Sequence, residues 1–163
     1  MILKNRKNNR LSGYDYTQSG YYFVTICTKN RECLFGGIEN GKMVLNEPGK
    51  MIQKIWQEIP LHYHGIQIDE SVIMSNHIHG IIVINDTDNV GTGPCACPDN
   101  NGQSPVLGQP QGVVPTALSL SDVIHRFKTL TTKKYIDGVN NNDWLPFDKR
   151  LWQRSFYDHI IRN

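Results

Sequence analysis

Apolar positions along this chain recur with two periods, near two and near 3.6 residues, and the switches between them outline its elements. Residues 20–28 (GYYFVTICT) are aromatic and β-branched and predict a strand. Residues 32–46 predict a hairpin that turns near Glu39-Asn40-Gly41. Met51, Ile52, Ile55, Trp56 and Ile59 then fall at helical spacing, behind a Pro48 that a first helical turn tolerates, and Pro60 is expected to stop the pattern. Residues 65–74 and 77–84 predict two more strands, joined by so short a connection at Ser75-Asn76 that they should form an antiparallel hairpin.

Residues 85–117 break the pattern. They hold five of the eight prolines and five of the fourteen glycines with almost no periodic apolar signal, which predicts a flexible loop insertion. Ser119 or Ser121 should cap a second helix with a buried stripe of Leu120, Val123, Ile124, Phe127 and Leu130, ended by Asp137-Gly138. A polar connection at 140–149 leads to a last strand over 151–161. With the hairpin and the insertion set aside, the order is β-α-β-β-α-β. That predicts a single α+β domain of the ferredoxin-like type: an antiparallel sheet with two helices on one face. In this arrangement the 77–84 strand lies inside the sheet, with one face covered and one open. The fold alone does not name a function.

Composition adds little until it is read by region. The 163 residues suffice for one domain with a core. No apolar run approaches the roughly 20 residues of a membrane helix, so no membrane partner is expected. The N-terminal stretch, 1–12, carries Lys4, Arg6, Lys7 and Arg10 with no acid and no apolar segment behind it. It reads as a basic arm, either contacting DNA or merely solvated, and the expected compartment is the cytoplasm. Cys95-x-Cys97 fits zinc spacing poorly. The formal net charge is +2, but the 85–117 stretch holds three Asp and no Lys or Arg, so the remainder has 17 basic and 12 acidic residues, a net of +5. That suits a phosphate backbone, and a solvated surface explains it equally well.

The sharpest chemical signal is His77-Ile78-His79, inside the run SVIMSNHIHGIIVI. On a strand both imidazoles face the same way, and two neutral imidazoles side by side are half of a metal site. The plain alternative is an ordinary pair on a half-exposed sheet face. His62-Tyr63-His64 has the same spacing but follows a helix end without an apolar strand, and reads as surface. His125 reads as helix surface, and His159 could face either a metal or solvent. Tyr21, Tyr22, Phe23 and Trp152 could stack on bases, though core is the preferred reading.

The stretch Met74-Ser75-Asn76-His77-Ile78-His79-Gly80 resembles the M-P-N-H-I-H-G segment of single-tyrosine HUH transposases, in particular the REP-associated tyrosine transposase branch. Supporting stretches are GYDY at 13–16, GYYFVTICT at 20–28, RECLFG at 31–36, HRFKTLTT at 125–132 and LWQRSFYDHIIR at 151–162, in order along nearly the whole chain. The resemblance implies that His77 and His79, with a third polar ligand, hold Mg²⁺ or Mn²⁺. It further implies that the metal polarises a scissile phosphate of single-stranded, hairpin-bearing DNA for attack by a tyrosine. It also implies dimerisation as a common state.

The family's attacking Tyr lies on a helix after the last strand, four residues before an Asn or Gln that completes the metal site. No such pair stands near Asn163, and Tyr157 is followed at that spacing by Ile161. The expectation is therefore a chain without its nucleophile helix: a transposase-type enzyme, a truncated DNA-binding module of the same fold, or, outside the family, a metal-binding regulator. Arg126, Lys128, Lys133 and Lys134, which share the second helix, are the expected DNA-phosphate contacts.

Overall fold

The computed structural model describes residues 10–11, 13–85 and 118–162. The residues of the basic arm before Arg10, the C-x-C and the 86–117 part of the expected insertion lie outside the described residues. The elements are β1 (Gly20–Cys27), a short 3₁₀ turn (Lys29–Arg31), β2 (Gly36–Glu39), β3 (Lys42–Leu45), α1 (Glu47–His62), β4 (Ile66–Ile73), β5 (His77–Ile84), α2 (Leu120–Asn141) and β6 (Tyr157–Ile161). The main sheet has the order β4-β5-β1-β6, with each neighbouring pair antiparallel, and β2-β3 forms a separate two-stranded sheet. Both helices pack on one face of the main sheet. This is the ferredoxin-like arrangement that the pattern predicts, with β5 inside the sheet.

Local chemistry explains most boundaries. The β2-β3 hairpin turns through Asn40 and Gly41, both at positive φ (51° and 76°), as a tight two-residue turn requires. Asn46 caps α1 by accepting from the Gly49 amide at 2.9 Å. Ser119, not Ser121, caps α2 in a reciprocal capping box with Asp122.

Three expected boundaries move. Pro60 lies inside α1, which continues to His62. A proline so near the C-terminus forfeits one helical bond and little else. Gly138 does not end α2, which runs to Asn141. It is glycine because the Trp144 ring packs where a Cβ would stand. The last strand begins at Tyr157 rather than at 151. Between them only Trp152 bridges to Thr28, and the Lys128 ammonium takes the carbonyls of Gln153 and Ser155, at 2.9 and 3.1 Å.

The core lies between sheet and helices. Tyr22, Val24 and Ile26 of β1 and Ile78 and Ile82 of β5 meet Ile52, Ile55, Trp56 and Ile59 of α1 and Val123, Ile124 and Phe127 of α2. Gly80 is the closest approach: Trp56 packs on β5 where a Cβ of residue 80 would sit. The glycine between His79 and Ile81 thus lets α1 seat against the strand that carries the histidines.

Candidate metal and nucleic-acid site

β5 begins at His77 and is flanked by β4 and β1, so both imidazoles stand on the open face of the sheet. Their Nε2 atoms are 3.1 Å apart and their rings meet edge-on, with centroids 4.6 Å apart. Each outer nitrogen is held. His77 Nδ1 lies 2.7 Å from Asn76 Oδ1, and His79 Nδ1 lies 2.7 Å from Thr25 Oγ1. The Asn76 amide nitrogen donates to the Arg31 carbonyl, which fixes its oxygen as the acceptor facing His77. His77 Nδ1 therefore carries the proton and its Nε2 presents a lone pair. Phe23 stacks on the His79 ring at 5.4 Å and 20°, setting its plane.

The support reaches one layer further. Thr28, fully buried, donates its hydroxyl to the carbonyls of Glu32 and Asn76, while its amide also donates to Asn76. The loop between Thr28 and Glu32 turns through Asn30 and Arg31, both at positive φ, 55° and 59°. That conformation is costly for non-glycine residues and persists only where the surroundings hold it. Burial, then the neighbouring charges of His79 and Arg31, push the His77 pKa below its ordinary value. The imidazole is therefore neutral, and its lone pair available, at neutral pH.

Two imidazole donors suit a divalent transition metal such as Mn²⁺ better than Mg²⁺. Among the described residues no group of three or more His, Cys, Asp or Glu comes together.

Register brings further residues to this face. Thr25 pairs with His79 on one side and Tyr157 on the other, and Phe23 pairs with His159. His159 thus stands on the same open face as the histidine pair. Tyr157, half exposed, is two strand spacings from His79, about 10 Å between Cα atoms. Tyr21 and Phe23 are exposed on this face, whereas Tyr22 and Trp152 are buried in the core. His62 and His64 are exposed at the end of α1, as expected of surface residues.

The four cations expected as DNA-phosphate contacts share α2, and each has different surroundings there. Arg126 lies over the Tyr63 ring at 5.1 Å, turned toward the end of α1. Lys134 lines a small cavity between the two helices. Lys128 is half-buried with its ammonium on two carbonyls, and desolvation lowers its pKa to about 8. Its ammonium is held by the carbonyls of the segment before the last strand. Lys133 remains exposed, facing the segment around residues 149–154. A 3.6-residue helix turns consecutive lysines to different neighbours, and spacing alone did not show which. The residues that sequence reasoning passed over are Thr25, Asn76 and Thr28. Asn76 stood next to the pair in the sequence, but Thr25 reaches it only through strand register.

No helix of the described residues is long and apolar enough to cross a membrane. No protein-family model matches the chain. Among solved structures, the REP-associated tyrosine transposase bound to a REP hairpin shares the fold, with a TM-score of 0.52 at 17% identity. The similarity covers 94% of this chain, which spans 64% of the length of that transposase. An uncharacterized protein of Haemophilus influenzae is 38% identical over 163 residues, covering 99% of this chain and 81% of that protein. At that identity and coverage, the chain belongs to the same family as the Haemophilus influenzae protein.

Proposed function

We propose that this chain is a transposase-type domain that binds a divalent metal, Mn²⁺ or Mg²⁺, through His77 and His79 and acts on single-stranded, hairpin-bearing DNA. The observation that carries this reading is the convergence of two Nε2 atoms, 3.1 Å apart, on the open face of a sheet whose fold a REP-associated tyrosine transposase shares. A metal held there by His77 and His79 would supply positive charge to the phosphate under attack. The chain's own part is orientation. Asn76 keeps the His77 proton on Nδ1, and Thr25, whose hydroxyl can accept or donate, lets the His79 proton sit on Nδ1 so that both Nε2 lone pairs face one point. Phe23, Tyr21 and Tyr157 offer exposed rings beside the pair on which unpaired bases can stack.

The second reading is a binding module that keeps metal and DNA without cutting. The position of Tyr157 on β6, two strand spacings from His79, favours it. One experiment separates the two. The 163-residue chain is incubated with a labelled hairpin-bearing single strand and Mn²⁺, and covalent protein–DNA adducts are resolved on a denaturing gel. An adduct lost in His77→Ala/His79→Ala establishes covalent strand cleavage, and its loss in Tyr157→Phe would name the attacking residue. Binding without an adduct leaves the module. Metal binding unchanged in the double variant rejects both.

A further inference from the structure

Arg31 stands where the loop after β1 comes back against the start of β5. Its amide donates to the Thr28 carbonyl at 3.2 Å, and its own carbonyl takes the Asn76 side-chain amide at 3.1 Å. The oxygen of that Asn76 side chain lies 2.7 Å from His77 Nδ1. Arg31 is thus two hydrogen bonds from the imidazole. After burial and His79, its charge is the third influence that holds the His77 pKa below the ordinary value. Arg31 is therefore a cation whose field reaches the histidine pair.

The backbone of Arg31 is in the left-handed region, at φ 59°. Of the described non-glycine residues at positive φ, Asn30, Asn40 and Asp143 are of types that tolerate it, whereas Arg31 and Lys149 are not. Glycine would take this conformation without strain, so the turn itself gains nothing from an arginine. The Arg31 side chain is exposed. Among the described residues it joins neither of the ion pairs, Lys50–Glu47 and Lys54–Glu58, and it lies over no aromatic ring, unlike Arg10 and Arg126. Its guanidinium donors are open to a ligand.

Imidazole is a neutral ligand, so a divalent ion on His77 and His79 would keep its positive charge, with the Arg31 guanidinium close by. Two positive groups side by side repel, and an anion that bridges them turns the repulsion into a clamp. A phosphodiester has a non-bridging oxygen for each. We infer that Arg31 is a substrate-binding residue that grips the DNA phosphate engaged at the histidine pair. The inference rests on the reading of that face as a metal and DNA site. The Arg31 carbonyl holds Asn76 and its guanidinium takes the phosphate, so one turn sets both the orientation of His77 and the grip on the strand.

Arg31→Gln tests this, because it keeps the carbonyl on Asn76 and removes the charge. By fluorescence anisotropy in EDTA with a labelled, unstructured single strand, it should bind about tenfold more weakly near ~100 mM salt. Its log–log salt slope should be shallower by about 0.7, the share of one phosphate contact. The control Lys42→Gln, at an exposed position of β3, should bind as the unmodified chain does. By calorimetry without DNA, Arg31→Gln should bind Mn²⁺ as tightly as the unmodified chain or more tightly, because a neighbouring positive charge is gone. A merely supporting turn predicts the opposite, since a disturbed Asn76 would release His77 and weaken Mn²⁺. Arg31→Gly should melt within a few degrees of the unmodified chain and show the same loss of DNA. Unchanged strand affinity in Arg31→Gln overturns the inference, as does an equal loss in Lys42→Gln or a fall in Mn²⁺ affinity in Arg31→Gln. His77→Ala/His79→Ala, titrated with Mn²⁺, keeps the two readings apart. If it loses Mn²⁺ while Arg31→Gln binds the strand normally, the role of Arg31 alone is wrong. If it keeps Mn²⁺ while Arg31→Gln loses the strand, the metal reading alone is wrong.

Discussion

On the helix-covered face of the main sheet, Tyr22, Val24, Ile26, Ile78 and Ile82 are fully buried, whereas on the open face Tyr21, Phe23, Thr25, His77 and His79 keep some contact with solvent. The same two strands supply both sets, one residue apart. The covered set is interchangeable hydrophobic volume fixed by α1 and α2. The open set is a chain of specific contacts: Phe23 on His79, Thr25 on His79, Asn76 on His77. Gly80 and Trp56 tie the two, because the ring that fills the covered side sits directly behind the histidines. A one-residue slip of β5 would bury the imidazoles and expose the isoleucines, so the core fixes the site's register.

The comparison can be broken most severely at the pair itself. His77→Ala/His79→Ala should abolish divalent-ion binding by calorimetry while leaving the melting temperature within a few degrees, because neither side chain is core. A large loss of stability would show that the open face is structural after all. Trp56→Ala attacks the other face and should cost about 3–5 kcal/mol in chemical denaturation, or roughly 10 °C for a chain of this size. Gly80→Ala should be destabilising by the same test, since the added methyl meets the Trp56 ring.

Thr25→Val probes the boundary between the faces. It keeps shape and removes the hydroxyl on His79, so Mn²⁺ affinity should fall ten- to a hundredfold with little change in stability. Equal affinity would mean that Thr25 does not orient the ring.

The smallest effect concerns Lys128. Its folded pKa, about 8, lies below its ordinary 10.5. Between those values the unfolded chain binds more protons than the folded one, so stability from this group rises with pH across that window. In Lys128→Met that rise should be missing from denaturation midpoints measured at pH 7 to 10. An identical pH profile would place the ammonium in water rather than on the carbonyls.

Much of this was legible in the sequence. The alternation in 77–84, the helical stripes and the short β4-β5 connection specify the element order and put His77 and His79 on one strand face. The misplaced boundaries share a cause: Pro60, Gly138 and the 151–156 segment answer to a neighbour rather than to local propensity. Trp144 decides Gly138, and Lys128 decides the carbonyls of Gln153 and Ser155. The surroundings of the helix cations were not legible for the same reason, since each meets a different neighbour across space.

The sequence by itself determined the strand that carries the pair, the periodicity of both helices and the β-α-β-β-α-β order, because these follow from residues near one another in the chain. Only the tertiary structure decided that Thr25 and Tyr157 stand in one row with His79, that the half-buried Lys128 ammonium sits on two backbone carbonyls, and that Lys133 joins Lys149, Arg150 and Arg154 in a groove. Those contacts join residues far apart in the chain, through strand register and helix packing, and no local pattern encodes the partner that a side chain meets when the layers close.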